Sequence, residues 1–107
     1  MAEPLTLVPP SDRERVAESM MAAAESVLNF LNAKSGRKFP ARTPRGQPTS
    51  AALLIFDRIR DGWSVEDMRS VVALKWRQVR TDKDKHYFRP ETIFRKANFE
   101  SGVGELE

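Results

Sequence analysis

The stretch Trp63–Arg80, WSVEDMRSVVALKWRQVR, indicates the fold class more clearly than any other part of the chain. Ser64 is placed to cap a helix with Asp67 at its third position, and Trp63 and Met68 flank this pair as a hydrophobic staple. Apolar residues then recur at helical spacing and form one stripe, made of Val65, Met68, Val72, Trp76 and Val79. The pattern predicts an amphipathic helix from Ser64 to about residue 80.

Two segments upstream show the same helical period. Ser11 and Glu14 form a capping-box pattern before an apolar stripe that runs from Val16 to Leu31, which predicts a helix over residues 12–33. A second helix is predicted over residues 49–61, capped by Thr49 or Ser50 and followed by Gly62. Between them, residues 34–48 contain two glycines and three prolines, which predicts a loop.

The end of the chain carries the segment Tyr87-Phe88-Arg89-Pro90-Glu91-Thr92-Ile93-Phe94 after a polar connector at residues 81–85. Proline disfavours a helical conformation in the residue before it, so Arg89 should be extended and a short helix should begin at Pro90. The large apolar side chains of this region, with Phe99, would pin that helix onto the other three. We therefore predict an all-α fold, a small bundle of three main helices plus a short C-terminal helix.

Domain boundaries follow from the same patterns. Residues 1–10 contain three prolines and no helical period, which is typical of a flexible N-terminal arm or linker. The helical domain is predicted over residues 11–101. Residues 102–107 are predicted to be a disordered tail, and the closing Leu106-Glu107 resembles a cloning remnant.

Composition limits the protein classes that fit. The chain has 107 residues, 40% of them hydrophobic, which indicates one domain with a modest core. It has no cysteine, no signal-peptide pattern and no apolar run near the roughly 20 residues that cross a membrane. We therefore expect a cytoplasmic protein with no membrane partner and without disulfides.

The formal net charge of +3 conceals an uneven distribution. Residues 34–96 carry sixteen basic and seven acidic side chains, whereas the segments on either side are acidic overall. A local positive field favours polyanions as partners. Nucleic acid is therefore the partner class that the charge pattern predicts.

The basic residues that could contact nucleic acid form two groups. The loop contributes five side chains with no acid among them, whose flexible donors suit phosphate oxygens: Lys34, Arg37, Lys38, Arg42 and Arg45. The third helix contributes Arg69, Lys75, Arg77 and Arg80 along the borders of its apolar stripe. The alternative is a solvated loop that aids solubility and an ordinary helix exterior.

Aromatic residues also allow two interpretations. Trp63 and Trp76 could stack on bases, but their staple and stripe positions favour packing in the core. Tyr87, Phe88 and Arg89 could form an exposed contact for a nucleic-acid strand or a protein partner. Because a small core needs its large apolar groups, we favour a structural role for this motif, with Arg89 tied to a nearby carboxylate or carbonyl.

Catalytic patterns are missing from the sequence. It shows no phosphate-binding loop, no zinc-ligand spacing and no nucleophile elbow. His86 is the only histidine and lies in a charged segment. Glu66, Asp67 and Glu91 stand at predicted helix starts, where acids interact favourably with the helix dipole. We therefore expect a protein that is not an enzyme and needs no metal or cofactor.

An ordered set of short motifs resembles a known family. In chain order these are Leu28-Asn29-Phe30-Leu31-Asn32, Gly36-Arg37-Lys38-Phe39, Arg58, Gly62, Val65-Glu66-Asp67-Met68, Val71-Val72, Lys75, Tyr87-Phe88-Arg89-Pro90-Glu91-Thr92-Ile93-Phe94 and Phe99-Glu100-Ser101. Over residues 27–101 the chain resembles the conserved C-terminal domain of phage replication proteins, the replisome-organiser or DnaD-like initiators.

The resemblance implies a small helical domain that closes a longer phage or prophage DNA replication protein. In such proteins an upstream part often recognises the phage origin. Two roles are implied for the C-terminal domain: DNA binding, with the single- or double-stranded form left open, and docking to the host helicase or another initiation factor. With the basic pattern, this favours an accessory nucleic-acid-binding domain, with protein docking as the alternative.

Overall fold

The computed structural model describes residues 12–106, with side chains described from residue 15 onward. Six helices follow in this range: α1 (Asp12–Ser35), α2 (Ser50–Arg60), α3 (Val65–Arg77), α4 (Asp82–His86), α5 (Pro90–Ile93) and α6 (Lys96–Glu105). The described residues contain no strand, only an isolated bridge between Arg42 and Pro48. The predicted all-α class is therefore confirmed. None of these helices combines the length and apolar character that crossing a membrane requires.

α1 supplies one wall of the core and packs against α2 and α3. Its buried face is formed by Met21, Ala24, Val27, Leu28 and Leu31. Val16 is 56% exposed, so the apolar stripe predicted from the sequence contributes to the core only beyond its first turns. The N-terminal arm at residues 1–10 and the Ser11 cap lie outside the described residues.

The turn between α2 and α3 has the hydrogen bonds of a Schellman motif. Gly62, at φ 104°, donates its N–H to the Ile59 carbonyl at 2.9 Å, and Trp63 donates to the Arg58 carbonyl at 3.1 Å. A non-glycine residue would be strained at that φ. Thr49 caps the start of α2 by accepting from the Ala52 N–H at 3.3 Å, as predicted.

The predicted capping box of α3 is confirmed. Ser64 Oγ accepts from the Asp67 N–H at 3.1 Å, and Asp67 Oδ2 accepts from the Ser64 N–H at 2.9 Å. Met68 and Val72 are fully buried beneath it. The helix ends at Arg77 rather than near residue 80: Gln78 is its C-cap, and the Val79 N–H bonds to the Trp76 carbonyl, three residues back instead of four, at 3.1 Å.

The predicted polar connector at residues 81–85 is exposed throughout, but Asp82–Lys85 form most of helix α4, which was not predicted from the sequence. Thr81 caps α4 by accepting from the Asp84 N–H at 3.1 Å, and Asp84 accepts from the Arg80 N–H at 3.0 Å. No residue of α4 is buried. Local capping, rather than an apolar face, explains this short helix.

The aromatic–proline segment closes the core, as the favoured interpretation predicted. Arg89 is extended at φ −153° and ψ 157°, and Pro90 is the first residue of α5. Phe88 is only 2% exposed and lies against Trp76, with ring centroids 5.0 Å apart. Ile93 and Phe94 are also buried. The alternative in which Phe88 forms an exposed contact was therefore wrong.

The arginine that ties this segment to the bundle is Arg58 on α2, not Arg89. Arg58 is 6% exposed, and its Nη1 donates to the Phe94 carbonyl at 3.0 Å. Its Nε lies 3.0 Å from Asp61 Oδ2, so the charge is paired at the end of α2. Arg89, in contrast, has a buried Nε with no hydrogen-bond partner in the described part of the chain.

Residues 102–105 are helical, which corrects the predicted disordered tail over the part of it that the structure describes. α6 continues through Gly102 and Gly104 to Glu105 and packs against α3 and α5. Phe99 anchors it, with its ring 5.5 Å from Trp63 and 5.9 Å from Phe94. Gly102 is buried because the α3 residue Val71 approaches the α6 backbone closely there. Both tryptophans thus have the packing role that their positions favoured.

Candidate nucleic-acid interface

The basic loop is held in place by hydrogen bonds from both flanking helices. At the end of α1, Asn32 Oδ1 accepts from the Phe39 N–H at 2.9 Å, and Asn32 Nδ2 donates to the Phe39 carbonyl at 3.0 Å. At the start of α2, Thr49 Oγ1 donates to the Pro40 carbonyl at 2.8 Å. The backbone of the loop is therefore fixed at Phe39 and Pro40, a restraint that the sequence did not predict.

A tight turn closes the outer part of the loop. Gly46 donates its N–H to the Thr43 carbonyl at 2.8 Å, and Thr43 donates to the Gln47 carbonyl at 2.7 Å. Pro44 and Arg45 occupy the two central positions, and Gly46 has the positive φ of 82° that favours glycine. Arg45 thus projects from an exposed tip, and its side chain makes no hydrogen bond or ion pair with the described residues.

The remaining loop cations have different partners. Arg37 Nη2 donates to the Lys85 carbonyl of α4 at 3.2 Å, and its guanidinium lies 6.0 Å from the centroid of the Phe39 ring. Arg42 Nη2 lies 3.5 Å from Glu25 Oε1 on α1. Lys38 is exposed and forms no ion pair with the side chains described from residue 15 onward. The loop has no acid of its own, but α1 supplies one.

A second aromatic side chain with cations beside it lies on α1. The Lys34 ammonium is 5.4 Å from the centroid of the Phe30 ring, and the Arg69 guanidinium, on α3, is 5.7 Å from it. Arg69 also donates to Ser26 Oγ, which fixes its head group on α1. Phe30 is only partly buried, so its ring remains accessible between the two helices.

These groups form one surface, which we call the α1 basic surface and define as Lys34, Arg37, Lys38, Arg42 and Arg69 with Phe30 and Phe39. Two shallow depressions lie along it, one lined by the loop and one by Phe30 and Arg69, and both share Glu25 and Asn29 of α1. Cations interleaved with accessible aromatic rings suit a strand that offers phosphates and bases together.

Two of the other predicted basic residues, Lys75 and Arg80, make their contacts outside this surface. Lys75 Nζ donates to Glu105 Oε2 at 2.9 Å, and Gln78 Nε2 donates to Glu105 Oε1 at 3.0 Å. The hydrogen bond from Lys75, with support from Gln78 and the Lys75 charge, lowers the pKa of Glu105. Arg80 turns back onto the carbonyls of Arg77 and Val79. Lys75 on α3 and Arg80, three residues after its end, are thus partly committed to intramolecular contacts.

The three residues predicted for the alternative partner site differ in how far they are exposed to solvent. Tyr87 is 51% exposed, whereas Phe88 lies in the core and Arg89 is partly buried. Tyr87 lines a groove of about 360 Å³ between the end of α3 and helices α4 to α6, together with Lys75 and Asn98. Of the three predicted residues, Tyr87 is the one that presents a large exposed surface.

Four residues of the interface were not predicted as site residues. Phe30 and Phe39 carry a signal that sequence reasoning could have used, since each stands within four residues of a lysine or arginine. Asn32 fixes Phe39 and Glu25 pairs with Arg42, but both contacts depend on how the loop returns to α1. No spacing rule in the sequence indicates that return.

Among the side chains that the structure describes, from residue 15 to residue 106, aspartate, glutamate and histidine form no cluster of three or more that could hold a metal ion. The family described as the conserved phage C-terminus matches residues 27–103, close to the range over which the motifs resembled phage proteins. Curated proteins and solved structures give no significant match. The match spans most of the chain and includes the α1 basic surface, so the chain belongs to the conserved phage C-terminal family.

Proposed function

We propose that this chain is a non-enzymatic accessory domain of a phage or prophage DNA replication protein, and that it binds nucleic acid through the α1 basic surface. The observation that carries the proposal is the convergence of five cations and two accessible phenyl rings on one face of the bundle. The replication context rests on the resemblance of the ordered motifs to replisome-organiser and DnaD-like proteins.

The contacts of this surface favour binding to phosphates rather than to a particular base sequence. Its cations lie on the side of a helix and on a loop with a fixed backbone. Contacts between such cations and phosphates supply affinity without sequence information. If about three to five phosphates are neutralised, the logarithm of the binding constant should fall with the logarithm of salt concentration at a slope of about −2 to −5. A slope in that range would match the number of cations present.

Fluorescence anisotropy with a labelled single strand and a labelled duplex, each titrated at several salt concentrations, tests this proposal. Binding that weakens with salt at the stated slope supports it. No binding to either form at low salt would refute it.

Glu25 provides a second test, because it is the acid within the α1 basic surface and pairs with Arg42. Glu25→Gln should tighten nucleic-acid binding about fivefold at low salt, since it removes roughly 1 kcal/mol of repulsion on a nearby phosphate. Glu100→Gln makes the same charge change at an exposed position of α6 and is the matched control. Equal effects of the two substitutions would indicate that binding responds only to net charge.

Docking to a helicase or another initiation factor is the second candidate function. It is favoured by the exposed Tyr87 ring beside the groove between α3 and helices α4 to α6. Capture of purified host replication proteins by the immobilised domain, compared with capture by Tyr87→Ala, tests it. Capture that is lost in the variant while nucleic-acid binding is unchanged supports docking. Unchanged capture would exclude Tyr87 as the contact.

A further inference from the structure

We infer that the ligand of the α1 basic surface is single-stranded nucleic acid, with Phe39 and Phe30 as platforms on which bases stack. This inference rests on the proposed function and specifies its ligand. Every base offers a π-face to an aromatic side chain when the strand is unpaired, whereas a duplex keeps those faces inside its own stack. The accessible rings are therefore the feature that separates the two forms.

Phe39 has the rigidity that a stacking platform requires. Both its backbone N–H and its carbonyl are held by the side-chain amide of Asn32, at 2.9 and 3.0 Å. The ring packs partly against the core, so one part is fixed and the rest is open to solvent. Asn32 thus fixes the backbone from which the Phe39 ring projects.

The cations beside the rings are placed to donate hydrogen bonds to the phosphates of a stacked strand. Arg37 lies beside Phe39, and Lys34 and Arg69 lie beside Phe30, with each charged group 5.4–6.0 Å from the ring centroid. Lys34 is exposed and has a flexible stem, so its ammonium can leave the ring for a phosphate when a base arrives. A ring and a cation side by side match the alternation of base and phosphate along a single strand.

The two depressions indicate where the strand runs. Both border Glu25 and Asn29 of α1, so a continuous path leads from the loop side of the helix to the Phe30 side. Asn29 is exposed on the ridge between them and offers an amide to a base edge or a sugar. A strand on this path would contact both phenyl rings.

The test compares affinity for a labelled oligothymidine of about 12 nucleotides with affinity for a duplex of the same length. The wild-type domain should bind the single strand more tightly than the duplex at the same salt concentration. Phe39→Leu and Phe30→Leu should each weaken single-strand binding about five- to one-hundredfold while leaving the salt slope and duplex binding unchanged. Phe39→Tyr keeps the ring and should retain the affinity.

Leu53→Ala is the control, since it removes an exposed apolar side chain of α2 that lies outside the α1 basic surface. Thermal melts establish that each variant is folded, and the two rings on separate segments provide independent tests. Salt-dependent binding that is identical in all variants would refute stacking but leave the proposed function standing. A duplex bound as tightly as the single strand would also refute the inference. Failure of the wild-type domain to bind either form would refute both.

Discussion

The packing of α6 on α3 makes a strong prediction about two glycines that are close in sequence. A Cβ at Gly102 would lie 2.9 Å from Val71 Cγ1 and 3.3 Å from Lys75 Cε, whereas a Cβ at Gly104 meets no atom within 4 Å. The first distance is too short for a carbon–carbon contact, so the helices would have to shift. Overpacking of this kind typically costs about 1–3 kcal/mol.

Alanine should therefore be less favourable at Gly102 than at Gly104. Both substitutions gain up to about 1 kcal/mol of helix propensity, which cancels when the two variants are compared. We expect Gly104→Ala to be stabilised and Gly102→Ala to be less stable than it by about 1–3 kcal/mol. In a domain of this size the melting temperatures should differ by at least about 4 °C.

Thermal melts of the wild type and the two variants by circular dichroism provide the measurement. A double-mutant cycle adds a check: Val71→Ala combined with Gly102→Ala should be more stable than the sum of the two single effects predicts, because the smaller side chain makes room for the Cβ. If Gly102→Ala were as stable as Gly104→Ala, the close approach of α6 to α3 would be refuted.

Two further predictions concern the closing contacts of the bundle. Arg58→Met should lower the free energy of unfolding by about 1–3 kcal/mol, because it leaves the buried Phe94 carbonyl without its donor, while Arg60→Met, which breaks an exposed ion pair, should change it by less than about 1 kcal/mol in chemical denaturation. The lowered pKa of Glu105 means that its bond to Lys75 stabilises the fold above the ordinary glutamate pKa and is lost as pH falls through the lowered value. The stability difference between wild type and Lys75→Met should therefore shrink on acidification, and a difference that grew would contradict this assignment.

The sequence predicted well those elements whose signals are local. The capping box of Ser64 and Asp67, the Thr49 cap and the glycine after α2 all fix helix ends through contacts within a few residues. Pro90 likewise begins α5 where its restricted φ predicts. Thr81 and Asp84 carry the same kind of signal for α4, which could have been recognised as a cap.

Elements that depend on tertiary packing could not be predicted in this way. Gly102 and Gly104 have low helix propensity, and α6 forms there because Phe99 and the close contact with Val71 outweigh that preference. Arg58 likewise shows no sign in the sequence that it will reach the Phe94 carbonyl, 36 residues away. Such contacts are determined by how the helices meet, which a single sequence does not specify.

The candidate site was predicted in part for the same reason. Charge density drew attention to the loop cations and to Arg69, and all of these except Arg45 lie on the α1 basic surface. It could not show that Lys75 is paired with Glu105, or that Asn32 converts a proline- and glycine-rich loop into a fixed segment. Charge counts along a chain take no account of partners supplied by other helices.

The central claim, that the α1 basic surface binds nucleic acid, is tested most directly by two charge reversals of the same residue type. Lys38 lines the depression beside the loop, and Lys96 lies at the start of α6, which packs on α3 and α5. Both lysines are exposed, and neither forms an ion pair with the described residues. Lys38→Glu and Lys96→Glu therefore change the net charge equally.

The measurement is the dissociation constant of each variant for the same labelled single strand at one fixed, low salt concentration. We predict that Lys38→Glu weakens binding by at least about tenfold, because a phosphate contact is lost and a repulsion is added, and that Lys96→Glu weakens it by less than about threefold. Equal weakening by the two variants, or a larger loss with Lys96→Glu, would contradict the assignment of binding to the α1 basic surface.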